Sequence, residues 1–215
     1  WGALNRFARR VGVTGPLAKA YQVAMEGVEV AEALEAARPL ASSLLTLGQI
    51  DQSQGRYEAA REQIGRALAL FERLGDIDGQ ASCLFTLGQI DQSQGRYEAA
   101  REQVGRALAL DEQLGDIDGQ SACLLTLGQI DQSQGEYEAA REEIGRALAL
   151  NEQLGDIDGQ AACLLGLGRL DIAMDDLAGA CGKLRRARSL SEQVGAPHRV
   201  EEVNAELGKI PGCVA

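Results

Sequence analysis

The stretch Leu47-Gly48-Gln49-Ile50-Asp51-Gln52-Ser53-Gln54-Gly55 returns unchanged at 87–95 and again at 127–135, a period of 40 residues. A unit of that length is one supersecondary element that cannot bury its apolar face alone, so its copies must stack on one another. Around the quoted stretch, Leu44, Leu47 and Ile50, with the small Gly48, recur at helical spacing. Gly55 interrupts, and Tyr57, Ala60, Ile64, Ala67, Leu68 and Leu70 resume the pattern. Each unit therefore reads as two antiparallel helices. The first is expected near 41–54, 81–94, 121–134 and 161–174, and the second near 57–74, 97–114, 137–154 and 177–194. Stacked pairs of this kind present extended surfaces, which favours binding over catalysis.

The segment Leu74-Gly75-Asp76-Ile77-Asp78-Gly79 closes the unit. Gly75 can take the left-handed conformation after the second helix, and Asp76 or Asp78 can cap the next first helix. Asp76-x-Asp78-Gly79 also resembles the centre of a calcium loop, but Leu74 and Phe85 fall on the first and twelfth ligand places, so the reading is a capped turn. Gly65, inside the second helix, would cost about 1 kcal/mol relative to Ala, which a close helix approach would explain.

Composition limits the function classes. The chain is 45% hydrophobic but only 4% aromatic, suited to a Leu- and Ala-rich helical core. It has no stretch long and apolar enough for a bilayer span and no leader pattern, so no membrane partner is expected. The net charge of −11 argues against nucleic acid, which requires clustered Lys and Arg. The acids concentrate in 41–160, while 1–40 and 161–200 are slightly basic, an asymmetry that suits end-to-end association or a basic partner. The basic residues Lys183, Arg185, Arg186 and Arg188 span too much of a helix to form one pocket. Cys83, Cys123 and Cys163 recur at the repeat period, too far apart for disulfides between neighbouring units, so they read as free thiols in small apolar slots of a cytoplasmic protein. With a single histidine, His198, and no Cys-x-x-Cys, no metal site or cofactor is implied. The first residue is Trp1, which suggests a piece of a longer chain.

Leu44, Leu47-Gly48, Gly55-x-Tyr57-x-x-Ala60, Ile64 and Ala67 fall at the spacings of the tetratricopeptide repeat, so the chain resembles that family, in a long 40-residue variety. Similar repeats occur in kinesin light chains, in spindle adaptors with Leu-Gly-Asn repeats, and in sensor arrays of bacterial signal-transduction NTPases. The resemblance implies an all-α, right-handed solenoid of stacked antiparallel helix pairs that binds proteins or peptides without catalysis. The expected organisation is a degenerate repeat at 1–40 (Leu4, Phe7-Ala8, Val11, Gly15, Leu17), repeats at 41–80, 81–120 and 121–160, a divergent repeat at 161–200, and a terminal half-repeat at 201–215. One departure stands out: where the family carries Tyr or another large residue, this chain has Asp51, Asp91, Asp131 and Asp171. At 100° per residue these acids project toward the core and need partners, with Arg61, Arg66 and their equivalents on the second helix as candidates; for Asp91 these are an arginine of that helix, foremost Arg101 or Arg106, or a backbone donor.

The opposite face of the first helices lines the concave groove in arrays of the resembled family. Here it carries Leu45, Gln49, Gln52 and Arg56, then Phe85, Gln89, Gln92 and Arg96, then Leu125, Gln129 and Gln132, and finally Leu165 and Arg169. Glutamine both donates and accepts, so a ladder of them can hold the backbone of an extended peptide, with outward Leu and Phe as apolar anchors. The blander alternative is that Gln is a good helix former carried along by duplication, since 41–80 and 81–120 differ only at positions 43, 45, 64, 71 and 73. A second function class is self-assembly: near-identical repeats with incompletely capped ends can stack end to end. No phosphate loop, nucleophile elbow or carboxylate pair indicates an enzyme.

Overall fold

A computed structural model describes residues 15–213. Leu4, Phe7, Ala8 and Val11, which carry the first half of the degenerate repeat, lie outside them. The described residues form ten helices and no strand: α1 (Gly15–Ala33), α2 (Ala37–Ser53), α3 (Tyr57–Leu74), α4 (Ile77–Ser93), α5 (Tyr97–Leu114), α6 (Ile117–Gln134), α7 (Tyr137–Leu154), α8 (Ile157–Ala173), α9 (Leu177–Gln193) and α10 (Pro197–Leu207). The second helices lie where the hydrophobic phase places them. The first helices begin four residues earlier than expected, at Ala37, Ile77, Ile117 and Ile157.

The reason lies in the closing segment. Gly75 is left-handed (φ 64°) and ends α3, as its sequence position suggests. Asp76 then caps α4 at once, its carboxylate accepting from the Gly79 amide at 3.2 Å. Asp116 caps α6 by accepting from the Asp118 and Gly119 amides, and Asp156 caps α8 by accepting from the Asp158 amide. Gly79 is thus a first-turn residue of α4, and its requirement is steric. A Cβ there would stand 2.4 Å from Cδ1 of Phe71 at the end of α3. The divergent repeat departs locally: Asp175 takes the left-handed place (φ 64°) that Gly55 holds (φ 71°) one hundred and twenty residues earlier.

The chain divides into two units, Trp1–Leu110 and Asp111–Ala215. In the first, α1 packs on α2, α2 on α3 and α3 on α4, and α2 also meets α4. Its core contains Leu44, Ala60, Ile64, Ala67, Phe71 and Ile90. In the second, successive helices from α6 to α10 pack pairwise, and α8 touches both α6 and α10. Its core toward the C-terminus joins Leu164, Leu165, Leu184, Val203, Leu207 and Ile210. Within each repeat the two helices approach closely at one glycine. A Cβ on Gly48 would stand 2.4 Å from Ile64, on Gly128 2.4 Å from Ile144, and on Gly168 2.7 Å from Leu184.

Candidate functional site

Asp51, Asp91, Asp131 and Asp171, four residues after the signature Leu, are at most 2% exposed. Ionised side chains so placed require compensation. Asp51 accepts from Arg56 Nε at 2.8 Å, and the Arg56 guanidinium lies 5.3 Å from the centre of the Tyr21 ring. Burial, with the Asp51 charge beside it, raises the Tyr21 hydroxyl pKa against the opposing pull of Arg56. Asp91 accepts from Arg96 Nε at 2.8 Å and pairs also with Arg61. Asp171 accepts from Arg141 Nη2 at 2.7 Å and pairs with Lys183. The partners of Asp91 are therefore an arginine of its own inter-helix turn and one on the second helix of the preceding repeat, rather than Arg101 or Arg106. Arg56 and Arg96, grouped with the groove residues by sequence, are engaged with these acids. Position 136 is Glu and position 176 is Asp, and in the divergent repeat Lys183 supplies the charge that a turn arginine supplies earlier.

The face of the first helices is best taken unit by unit. In the first unit, Gln49 is exposed, and Gln52, Gln89 and Gln92 are half-buried. Gln52 Nε2 donates to Gln89 Oε1 at 3.1 Å, so glutamines of successive first helices meet side to side. Leu45 packs partly on the core, and Phe85 is half-buried. In the second unit, Gln129 is exposed, while Gln132, Leu125 and Arg169 are half-buried. Leu165 is buried, which removes it from the outward row. Arg169 Nε donates to Glu206 Oε1 at 3.0 Å. Glu206, missed in the sequence, also accepts from Lys209 at 2.6 Å. Burial pushes the Glu206 carboxyl up, but the hydrogen bonds and charges of Lys209 and Arg169 outweigh it and hold its pKa below the ordinary value.

The remaining titratable groups offer little chemistry. Cys83, Cys123 and Cys163 are buried free thiols. Burial pushes Cys83 up to about 12 and Cys163 up to about 11, and burial with Asp111 raises Cys123 further, so none is a ready nucleophile. Lys183, Arg185, Arg186 and Arg188 go to separate partners: Asp171, the Cys213 carbonyl, Glu152 and Glu192. Among the described residues no three His, Cys, Asp or Glu side chains gather as a metal site would need, and no helix is long and apolar enough to cross a membrane. Cys181 and Cys213, which sequence spacing does not pair, are joined in a disulfide.

A family model described as tetratricopeptide repeat matches residues 39–113, and a second of the same description matches 121–154. No curated protein matches. Among solved structures, the chain is similar to BtubC (BKLC) from P. vanneervenii, with 20% identity over 93% of this chain and 85% of that one, TM-score 0.78. It is also similar to a kinesin light chain-type protein of Podosopora anserina with nearly identical TPR-like repeats, with 17% identity over 90% and 96% of the two chains, TM-score 0.64. A Rap protein complexed with competence and sporulation factor aligns at 15% identity over 93% of this chain and 61% of its own, TM-score 0.76.

Proposed function

Because the chain belongs to the tetratricopeptide-repeat family, we propose that it is a non-enzymatic interaction scaffold whose first-helix faces bind an extended polypeptide, as part of a larger signalling protein. The observation that carries this reading is the Gln52–Gln89 hydrogen bond. It aligns glutamines of adjacent repeats and leaves the Gln52 carbonyl and the Gln89 amide group to meet a peptide backbone. We read 1–40, 41–80, 81–120, 121–160 and 161–200 as five repeats with a half-repeat at 201–215. Leu45, Gln49, Gln52, Phe85, Gln89 and Gln92 form the binding face in the first unit, and Leu125, Gln129, Gln132 and Arg169 in the second. Arg56 and Arg96 contribute by holding Asp51 and Asp91. The solved Rap protein complexed with competence and sporulation factor lends support as a similar fold with a bound factor. The net charge of −11 supports a protein partner over nucleic acid. The cytoplasmic setting rests on the three buried free thiols, and the Cys181–Cys213 disulfide counts against it.

The test begins with capture of a partner and measurement of its affinity. Each net hydrogen bond contributes roughly 0.5–1.5 kcal/mol, so replacing Gln49, Gln89 and Gln129 together by Ala is expected to weaken binding by between about tenfold and a thousandfold. Replacing Arg186 and Arg188 is expected to do little. The opposite pattern would move the site to the second helices. A second reading, end-to-end self-assembly, draws support from α1 and the turn after it, where Val23 and Val30 on one side of the helix and Leu34 in the turn are 66%, 58% and 71% exposed. Light scattering that rises with concentration in the wild type, and not after Val30→Lys and Leu34→Lys, would favour it.

A further inference from the structure

The C-terminal tail turns back after α10. Pro211 and the left-handed Gly212 (φ 74°) redirect it, and Ile210 and Cys213 enter the core beside Leu184, Val203 and Leu207. Cys213 is bonded to Cys181 on α9 across a Cα–Cα distance of 5.9 Å, within the range a disulfide spans. One turn further along α9, Arg185 Nη2 donates to the Cys213 carbonyl at 2.9 Å.

The register of this bond is informative. Cys181 occupies, at multiples of 40, the position of Arg61 and Arg141. Each of those arginines reaches forward 30 residues to the buried acid of the next repeat, Asp91 or Asp171. Cys181 reaches forward 32 residues to Cys213. The repeat-to-repeat tie is thus ionic inside the array and covalent at its last junction. Ion pairs answer to salt and pH, whereas a disulfide answers to thiol reductants.

We propose that the Cys181–Cys213 disulfide is a redox-operated clasp that holds the C-terminal tail, residues 208–213, over the apolar end of α9 and α10. Cys181 is half-buried and Cys213 buried, so the accessible sulfur is Cys181. A dithiol reductant attacks it as thiolate, forming a mixed disulfide, and Cys213 leaves as thiolate and takes a proton. The second reductant thiol then displaces Cys181, which is protonated in turn, and the reductant departs as its own cyclic disulfide. Two electrons and two protons enter the protein. The tail then keeps its non-covalent ties, the Ile210 and Cys213 side chains in the core, the Lys209–Glu206 ion pair and the Arg185 hydrogen bond, and opens locally. The three periodic thiols stay buried throughout and exchange with neither sulfur.

The test uses the full chain. Unfolded without reductant, it should take iodoacetamide at three cysteines, Cys83, Cys123 and Cys163, and at all five after dithiothreitol. In the folded chain, dithiothreitol should speed amide exchange across 208–213 by roughly a hundredfold, because the bond closes a loop of some thirty residues, while the middle of α8 changes little. Cys181→Ser, at the less buried end, should exchange at the fast rate with or without reductant. Alkylation of all five cysteines before reduction would overturn the clasp. So would tail exchange indifferent to dithiothreitol, or acceleration spread evenly over α6 to α10.

Discussion

Two glycines of one repeat, Gly128 on α6 and Gly145 on α7, recur at the same period and have opposite standing. A Cβ on Gly128 would lie 2.4 Å from Ile144 Cγ1 and 3.0 Å from the Ala140 carbonyl, so the seam between the two helices excludes every larger residue. A Cβ on Gly145, and equally on Gly65 or Gly105, would meet nothing within 4 Å. The close approach expected around Gly65 is therefore absent. Gly in mid-helix there carries its conformational cost with no contact to offset it. Duplication copies needed and unneeded residues alike, and only packing separates them. The same standard applies to the glutamines: their recurrence is weak support for a binding role, and the Gln52–Gln89 contact is stronger.

The largest effect should come from the charged part of the seam. Asp91 is buried, whereas the Arg61 and Arg96 side chains are 37% and 44% exposed. Replacing both arginines by Met strands a carboxylate in the interior and is expected to cost about 3–5 kcal/mol in denaturant unfolding. Asp91→Tyr instead leaves two cations that can turn to water and restores the bulk usual in the family, so it should be close to neutral. If the two variants lose equal stability, the acid's burial is not what makes the seam demanding. One step smaller is Gly128→Ala. Overpacking costs about 1–3 kcal/mol, and the branched Ile144 with a backbone oxygen behind it has little room to yield. A stability equal to the wild type would show that the seam relaxes. Gly145→Ala should go the other way, stabilising by about 0.5–1 kcal/mol as helix propensity alone dictates. A loss there would mean that the open face has a contact role after all.

The sequence made some of this legible and hid the rest for physical reasons. The hydrophobic phase located the second helices, and Gly75 marked their end, because both are properties of a single helix. The starts of the first helices were obscured by Gly79, which resembles a turn residue but is small because Phe71 packs against it. The burial of Asp51 and its copies follows from helical geometry. The arginine 30 residues earlier does not, since that pairing depends on how one repeat sits on the next within a unit. For the same reason Leu165, outward on an isolated helix, is buried once its neighbours are in place. Cys181 and Cys213 carry no periodic signal, as one lies in a divergent repeat and the other in the tail.

The smallest expected effect tests a polar group that lies between these extremes. Glu206 is buried like a seam residue, but its partners Arg169 and Lys209 are 39% and 59% exposed, like those of an open face. Its folded pKa lies below the ordinary 4.5, held there by Lys209 and Arg169 against the upward push of burial. A carboxyl depressed on folding stabilises the protein above its unfolded pKa, and that contribution fades as pH falls through the folded value. Because both cations are solvated, the contribution should be no more than about 1 kcal/mol. Glu206→Gln removes the charge and keeps the shape. The variant should therefore be slightly less stable than wild type at pH 7, and the gap should close in acid, below the ordinary carboxyl range. A gap that persists unchanged at low pH would mean that Glu206 acts through packing alone, as a seam residue does. A gap that grows in acid would contradict the depressed pKa.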